Sequence, residues 1–171
     1  MKKLFYTITL ALIAPVIANA QSSNDIETIT TYYLIRHAEK DRSNPENPNP
    51  SLKQEGMARA LEWAEVFADV KIDAIYSTDY KRTRQTAEPV SLKQKVAISL
   101  YDPRNLDLKD FKEDTHGKTV LIVGHSNTTP ALTNALAEGS FYQSMDDTDN
   151  GSLFIVTVIN NRIHHQRLRI N

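Results

Sequence analysis

Residues 30–40 read TTYYLIRHAEK, a run of β-branched and aromatic residues that leads directly into an arginine, a histidine and two further charged side chains. The apolar part, residues 30–35, does not alternate with polar residues, which is typical of a strand covered on both faces. Parallel sheets contain such strands because their crossover helices lie on the two faces. The stretch therefore predicts a buried parallel strand whose carboxyl end carries Arg36 and His37.

The rest of the chain alternates strand and helix patterns, which favours an α/β fold: a three-layer sandwich with a mostly parallel central sheet and helices on both faces. Residues 151–159 and 162–170, joined by Asn160-Asn161, predict a C-terminal antiparallel hairpin. We expect Pro89 to start or kink its helix. The other predicted strands cover residues 72–76, 95–100 and 119–123, the helices cover 52–68, 79–95, 106–114 and 128–137, and residues 43–50 form an Asn/Pro-rich loop.

The length, charge and cysteine content of the chain exclude several classes of function. The 171 residues suffice for one ordinary domain, and 20 Lys+Arg against 21 Asp+Glu give a net charge of −1, without the basic surface that nucleic-acid binding needs. The chain has no cysteine, which excludes disulfides, thiolate catalysis, Fe–S clusters and cysteine-ligated zinc. An enzyme or a small-molecule binder remains.

The N-terminus has the layout of a secretory signal peptide. A cationic start, Met1-Lys2-Lys3, precedes an apolar run over residues 4–18, and Ala18-Asn19-Ala20 supplies the small residues of a cleavage site. A membrane anchor is the alternative, but the run is shorter than the ~20 residues that a spanning helix needs. We therefore expect a cut after Ala20, a single mature domain over residues 21–171 with no stable membrane anchor, and a periplasmic or secreted protein.

Basic side chains follow three of the predicted strands. Arg36 and His37 follow the first, Arg82 lies shortly after residues 72–76, and His125 follows residues 119–123. The carboxyl ends of parallel strands meet at one edge of a sheet, where ligands bind. Two imidazoles and two guanidiniums at one edge indicate a site for an anion, most simply a phosphoryl group.

Four motifs in order resemble the histidine phosphatase superfamily, the phosphoglycerate-mutase-like group with an Arg-His signature. They are LIRHAEK at residues 34–40, PSLKQEG at 50–56, YSTDYKRTRQTA at 76–87 and VGHSN at 123–127. The resemblance spans roughly residues 31–159. It implies a phosphatase that hydrolyses a phosphomonoester through a phosphohistidine, without metal or other cofactor. The expected signal peptide makes this an exported enzyme and favours a small substrate.

The resemblance also implies a role for each site residue. His37 would be the nucleophile, and it must be neutral to attack phosphorus. Arg36, Arg82 and an imidazolium at His125 would stabilise the charge on the transferred group. Asp102 completes the catalytic set as proton donor, and Ser126 and Asn127 complete the substrate-binding set.

The proton donor to the leaving group is Asp102 in this interpretation, because many relatives carry an acidic residue soon after the third strand. Glu39, Asp41 and Asp79 stay open as alternatives.

A second choice concerns two neighbouring arginines. Arg84 lies ~200° around a helix from Arg82, which is the preferred residue. Only one of the two can face the pocket, so we expect Arg84 to be solvated or salt-bridged.

Three other functions compete with a phosphomonoesterase. Short relatives resemble protein phosphohistidine phosphatases, although export favours a small substrate over cytoplasmic signalling proteins. A non-catalytic phosphate-binding module is a second alternative, which the presence of both histidines disfavours. A serine hydrolase is a third, but Thr128 stands where a nucleophile elbow needs its second glycine.

The two adjacent histidines near the C-terminus do not indicate a metal site. His164 and His165 point to opposite faces of a strand and cannot chelate one metal together.

Overall fold

Six strands and four helices follow one another along residues 28–170, the part of the chain that the computed structural model describes. The predicted signal peptide and its cleavage site lie outside these residues. No helix within them is long and apolar enough to cross a membrane. The strands are β1 (Ile29–Arg36), β2 (Ala74–Ser77), β3 (Ile98–Leu100), β4 (Thr119–Gly124), β5 (Ser152–Ile159) and β6 (Arg162–Arg169), and the helices are α1 (Gln54–Val66), α2 (Lys81–Gln94), α3 (Leu108–Asp114) and α4 (Thr128–Leu136).

The strands form one sheet in the order β3-β2-β4-β1-β5-β6. The first four strands of this order pair in parallel, whereas β5 runs antiparallel to β1 and β6 runs antiparallel to β5. The sheet is therefore mostly parallel with a C-terminal antiparallel hairpin, which confirms the predicted fold class.

The two faces of the sheet are covered by different helices. Along β4, Val120 and Ile122 join a cluster with Phe111 of α3 and Leu136 of α4. The alternate residues of the same strand pack on the opposite face, in a cluster that contains Trp63 of α1 together with side chains of α2. Because side chains alternate across a strand, a run of consecutive apolar residues fills both cores at once.

This arrangement creates a crevice at the centre of the sheet. β1 and β4 are neighbours, but the helix that follows β1 lies on one face and the helix that follows β4 lies on the other. Ligands of open α/β sheets bind at such a point, outside the carboxyl ends of the two strands. His37 and His125 are the residues that directly follow these strands.

Two boundaries differ from the sequence-based expectation. α2 begins at Lys81 and continues through Pro89, so the proline does not start the helix. At its other end, Lys95 adopts a left-handed conformation with φ of 57°, and its backbone N–H bonds to the carbonyl of Ser91. Because Lys95 closes this helix, β3 starts only at Ile98 and is shorter than the predicted strand over residues 95–100.

Gly56 lets α1 approach the loop that follows β1. A Cβ atom placed on Gly56 would lie 2.2 Å from the carbonyl oxygen of Glu39, a distance that no side chain could occupy. The same carbonyl accepts a 2.9 Å hydrogen bond from the backbone N–H of Lys53, just before the helix. The glycine of the PSLKQEG motif thus fixes the backbone two residues beyond His37.

Candidate active site

Backbone hydrogen bonds continue past the ends of the parallel strands and fix the frame of the site. The N–H of His37 donates to the carbonyl of Gly124 over 2.9 Å, and the N–H of Tyr101 donates to Ser77 over 3.1 Å. The loops after all four parallel strands, β1 to β4, therefore meet at one edge. They line a cavity of about 650 Å³. The residues that line it include Arg36, His37, Lys40, Thr78, Arg82, Tyr101, Asp102, His125, Ser126, Asn127 and Asp147.

His37 is held in one tautomer by its own loop. Its side chain is buried, and Nδ1 lies 2.7 Å from the carbonyl oxygen of Ala38. A carbonyl oxygen can only accept, so Nδ1 carries the hydrogen and donates it. Burial lowers the pKa of His37 to about 3, and the charges of Arg36 and Arg82 lower it further in the same direction. The ring is therefore neutral at pH 7, with an unshared electron pair on Nε2.

His125 lies beside it, with ring centroids 5.5 Å apart. Its Nδ1 is 3.4 Å from Nη2 of Arg82, a group that only donates, and its Nε2 is 3.0 Å from Oγ1 of Thr78. Nε2 thus donates to Thr78, whose hydroxyl donates in turn to Thr83 over 3.1 Å. This chain of hydroxyl groups orients the second imidazole.

The charge state of His125 differs from the expected imidazolium. Burial lowers its pKa to about 4, and the positive charges of Arg82, Arg36 and Lys40 act in the same direction. Without a bound anion the ring is neutral at pH 7. A dianion beside it would oppose the effect of these cations, so the imidazolium needs a bound ligand.

Arg36 is almost fully buried behind His37. Nη1 donates to the carbonyls of Asp146 and Asp149 at 2.8 and 3.2 Å, and Nη2 donates to Oδ1 of Asp147 at 2.8 Å. All of these acceptors belong to the loop between α4 and β5. This loop, residues 145–151, therefore sets the position of the guanidinium.

The same loop is tied to the C-terminal hairpin. The buried carboxylate of Asp149 accepts from the hydroxyl of Ser152 and from Nη2 of Arg167, on β6. Asn150 donates from Nδ2 to the carbonyl of His37 over 2.8 Å. The hairpin thereby supports both the nucleophile candidate and the arginine next to it.

Three buried guanidinium nitrogens at the cavity have no hydrogen-bond partner among the described residues: Nε of Arg36, and Nε and Nη1 of Arg82. Buried donors are nearly always satisfied in native proteins, so such a cluster indicates an absent acceptor. Guanidinium groups suit the oxygens of a phosphoryl group or a carboxylate. The hydroxyl of Tyr101 is buried and unpartnered in the same cavity, and burial raises the pKa of this phenol.

Asp102 lines the cavity but is bound to its own loop. Oδ1 accepts from the N–H of Arg104 at 3.0 Å, and Oδ2 accepts from Asn105 at 2.7 Å. The backbone hydrogen bond from Arg104 is the main cause that lowers the pKa of this carboxyl group, followed by the bond from Asn105. Its location suits a proton donor, whereas its hydrogen bonds favour the ionised form.

Of the three alternative acids, Asp79 also lines the main cavity. Glu39 forms an ion pair with Arg59 at 2.8 Å and faces the side of α1. Asp79 pairs with Arg84 at 2.8 Å, which confirms that Arg84 is salt-bridged, while Arg82 lines the cavity. Asp41 is exposed and accepts from the N–H of Ser43. Neither Glu39 nor Asp41 is among the residues that line the main cavity.

Ser126 and Asn127, the two residues predicted to bind substrate, lie at the amino-terminal end of α4 and border the cavity. The side chain of Asn127 makes no capping hydrogen bond to the helix. A helix N-terminus carries partial positive charge, which favours an anion there. Among residues 28–170, no three His, Cys, Asp or Glu side chains are grouped so that they could hold a metal ion.

The sequence reasoning missed several residues of this edge. Thr78 and Lys40 lie within two of the motifs, yet the motifs assign them no role, although both line the cavity. Nothing in the motifs points to Asp147 or Asn150. The polar run DDTDNG at residues 146–151 is the one sequence signal that could have drawn attention to this loop.

The site thus combines a neutral imidazole, His37, with guanidinium nitrogens that lack an acceptor. A comparison with protein families finds one similarity in sequence. Residues 32–103 match the histidine phosphatase superfamily (branch 1). The matched part covers less than half of the chain and contains Arg36, His37, Arg82 and Asp102, whereas His125 lies outside it. No curated protein matches the chain in sequence.

Solved structures of several phosphatases share the fold. SixA from Agrobacterium tumefaciens is 22% identical, with a TM-score of 0.59, over 82% of this chain and 99% of the other. A mycobacterial glucosyl-3-phosphoglycerate phosphatase in complex with inorganic phosphate is 14% identical, with a TM-score of 0.61, over 83% and 97%. The protein histidine phosphatase SixA in complex with tungstate is 14% identical, with a TM-score of 0.63, over 81% and 96%. At these identities the likeness concerns the fold.

The low pKa of His37 predicts an acid-sensitive fold. A pKa near 3 in the folded state against ~6.5 unfolded means that the unfolded chain binds more protons between these values, so stability falls as pH drops below 6.5. Replacing His37 by Asn removes this contribution. Urea denaturation at pH 6.5 and at pH 5 measures how much free energy of unfolding is lost on acidification. We expect this loss to be smaller in His37→Asn than in the unchanged protein by roughly 1.5 kcal/mol.

The control is His116→Asn, which removes an exposed imidazole. It should lose stability with acid as the unchanged protein does. Equal acid sensitivity of the His37 variant and the unchanged protein would contradict the buried, neutral state of His37.

Proposed function

We propose that this protein is an exported phosphatase that hydrolyses a phosphomonoester through a phosphohistidine at His37. One observation carries the proposal: a neutral histidine with a free Nε2 stands beside three buried guanidinium nitrogens that lack an acceptor. A phosphoryl group supplies an electrophilic phosphorus for Nε2 of the histidine and oxygen acceptors for the guanidinium nitrogens.

The proposed reaction has two steps. In the first, the electron pair of His37 Nε2 attacks phosphorus, the P–N bond forms, and the P–O bond to the ester breaks. The ester oxygen leaves as an alcohol after it takes a proton. In the second, water attacks phosphorus, the P–N bond breaks, and inorganic phosphate and neutral His37 are released.

Charge stabilisation is the main contribution of the surrounding residues in this proposal. Arg36 Nε and the two free nitrogens of Arg82 would bind the equatorial oxygens, where negative charge is spread in the transition state. His125 would take up a proton as the dianion binds, because the bound charge offsets that of the neighbouring cations. Ser126 and Asn127 would complete the substrate-binding set at the start of α4.

Asp102 is the proposed proton donor because it lines the cavity that contains His37, whereas Asp79, which also lines it, is paired with Arg84. A weak leaving group needs the proton most, so we expect Asp102→Asn to lower kcat/KM for an alkyl phosphate about 10- to 100-fold while sparing a nitrophenyl ester. Steady-state kinetics on both esters measure the difference. Asp110→Asn, on an exposed helix turn, is the control, and an unchanged alkyl phosphatase activity of the Asp102 variant would refute the assignment.

The substrate class is proposed to be a small phosphomonoester. The open cavity of about 650 Å³ accommodates a compact leaving group, and the expected signal peptide would place the enzyme outside the cytoplasm. Protein phosphohistidine is the second candidate, favoured by the structural likeness to SixA, a protein histidine phosphatase. A phosphohistidine peptide and a sugar phosphate, compared at equal concentration, would rank the two candidates.

Export is proposed from the N-terminal sequence alone. Mass spectrometry of the protein in cell fractions should find a chain that starts at Gln21 in the periplasm or medium. A Lys substituted for Ala20 should block the cut and leave residues 1–20 attached. An unchanged N-terminus in the natural protein would overturn the expectation.

The central test is hydrolysis of para-nitrophenyl phosphate by residues 21–171 with EDTA present. We expect activity in the unchanged protein and a loss of at least about 1,000-fold in His37→Ala, since the nucleophile is absent. His116→Ala is the matched control: it removes an exposed imidazole outside the cavity, and it should keep nearly full activity.

Each outcome decides a different point. Activity that is equal in the unchanged protein and in His37→Ala would refute the phosphohistidine route. Loss of activity on chelation would refute the expectation of a metal-independent enzyme. Tight binding of phosphate with no turnover of any ester would favour the non-catalytic phosphate-binding module instead.

A further inference from the structure

A second cleft opens beside the catalytic cavity. It has a volume of about 300 Å³ and shares Arg36, His37, Lys40 and Asp147 with the main cavity, whereas Arg82 and His125 border only the main one. Its other lining residues are Glu39, Arg42, Lys53, Thr148 and Asn150. We call it the outer cleft. A substrate bound at His37 therefore has two directions in which its leaving group can extend.

The outer cleft is positively charged. Four cations line it against two acids, and most of these charges already have partners. Glu39 is bound by Arg59 at 2.8 Å, and Lys53 pairs with Glu55 at 2.9 Å. Once these pairs are discounted, Lys40 is the cation of the outer cleft without an ion pair among the described residues.

Lys40 is half-buried at the junction of the two cavities. Its backbone is fixed by an antiparallel bridge to Leu52, so the side chain starts from a defined position. Burial, followed by the charges of Arg42 and Arg82, lowers the pKa of its ammonium group, and Asp147 only partly opposes this effect. A cation held among like charges without a partner is a position that an external anion would stabilise.

The protein itself already places a carboxylate in this cleft. Oδ1 of Asp147 lies 2.8 Å from Nη2 of Arg36, and Oδ2 lies 2.7 Å from Nη2 of Arg42. The hydrogen bond from Arg42 is the largest cause that lowers the pKa of Asp147, to about 2. The outer cleft is therefore able to bind a carboxylate between two cations, and one further cation, Lys40, stays unused.

We propose that Lys40 is the binding site for a second anionic group on the substrate, so that this protein prefers phosphomonoesters whose leaving group carries a carboxylate or a second phosphate. The inference rests on the phosphatase activity proposed above. The transferred phosphoryl group itself has enough partners without Lys40, because Arg36 and Arg82 offer three free nitrogens for its three terminal oxygens. Lys40 instead faces the outer cleft as well, where the leaving group can extend.

The test uses two esters that differ in one charge. 3-Carboxyphenyl phosphate carries a carboxylate on the leaving group, and 3-carbamoylphenyl phosphate replaces it by a neutral amide of similar size. Their leaving groups are comparable, so the ratio of the two kcat/KM values reports the contribution of the charge. 1,3-Phenylene bisphosphate, compared with the same neutral ester, shows whether a second phosphate is accepted in place of the carboxylate.

We expect the unchanged protein to prefer the carboxylate over the amide about five- to tenfold, the range of a partly desolvated charge-assisted contact. Lys40→Met should reduce this ratio to about one, and Lys40→Arg should retain most of it. Lys71→Met is the control, since that lysine is highly exposed and pairs with Asp73 outside both cavities, and it should keep the ratio. In the unchanged protein, higher salt should weaken the preference because the contact is only half-buried.

The outcomes separate this inference from the proposed function. Turnover of both esters without a preference, or a preference that survives in Lys40→Met, overturns the subsite and leaves the phosphatase intact. If neither ester is hydrolysed, the proposed function fails, and calorimetric titration of both esters into His37→Ala decides the subsite. Tighter binding of the carboxylate ester than of the amide supports the subsite if this difference disappears in the double variant His37→Ala, Lys40→Met. Equal binding of the two esters to His37→Ala overturns the subsite.

Discussion

The parallel pairing of β1 with β4 is the constraint on which the site depends. Its register sets Arg36 opposite Gly124, and the hydrogen bond from the next backbone N–H, that of His37, back to Gly124 extends the pairing by one step. The two imidazoles must then leave the sheet side by side. A shift of this register by one residue would turn the apolar side chains of a strand to the opposite face, so the two cores that hold the sheet also hold the site.

Concentrated positive charge shapes the electrostatics of this edge. Burial lowers the pKa of both imidazoles, the guanidiniums of Arg36 and Arg82 lower it further, and the ammonium of Lys40 adds to the effect on His125. The cost of burying Arg36 is offset by carbonyl oxygens and one carboxylate from the 145–151 loop, while its Nε has no hydrogen-bond partner among the described residues. Asp149 of the same loop is bound by Arg167 of the last strand. Residues from the two ends of the described chain therefore help to shape one cavity.

The parts of the molecule that could be predicted from the sequence are those that follow from hydrophobic patterns and from the geometry of a parallel sheet. His37 and His125 could be placed together because each follows an apolar run, and strand ends of a parallel sheet share an edge. Asp147 and Asn150 lie in a loop, where no periodicity reports which side chain turns inward. The start of β3 was missed because a lysine, rather than a glycine, adopts the left-handed conformation that ends α2. Lys40 could not be assigned from its motif, since its lack of a partner is a property of three-dimensional neighbours.

The hydrogen bond from His37 Nδ1 to the carbonyl of Ala38 has a consequence for regiochemistry. With one ring nitrogen committed to the backbone, only Nε2 can form a bond to phosphorus. A phosphorylated form of the protein would therefore be a single positional isomer, with the phosphoryl group on the nitrogen remote from Cβ. The backbone of one short loop, rather than any group on the substrate, selects the isomer that is formed.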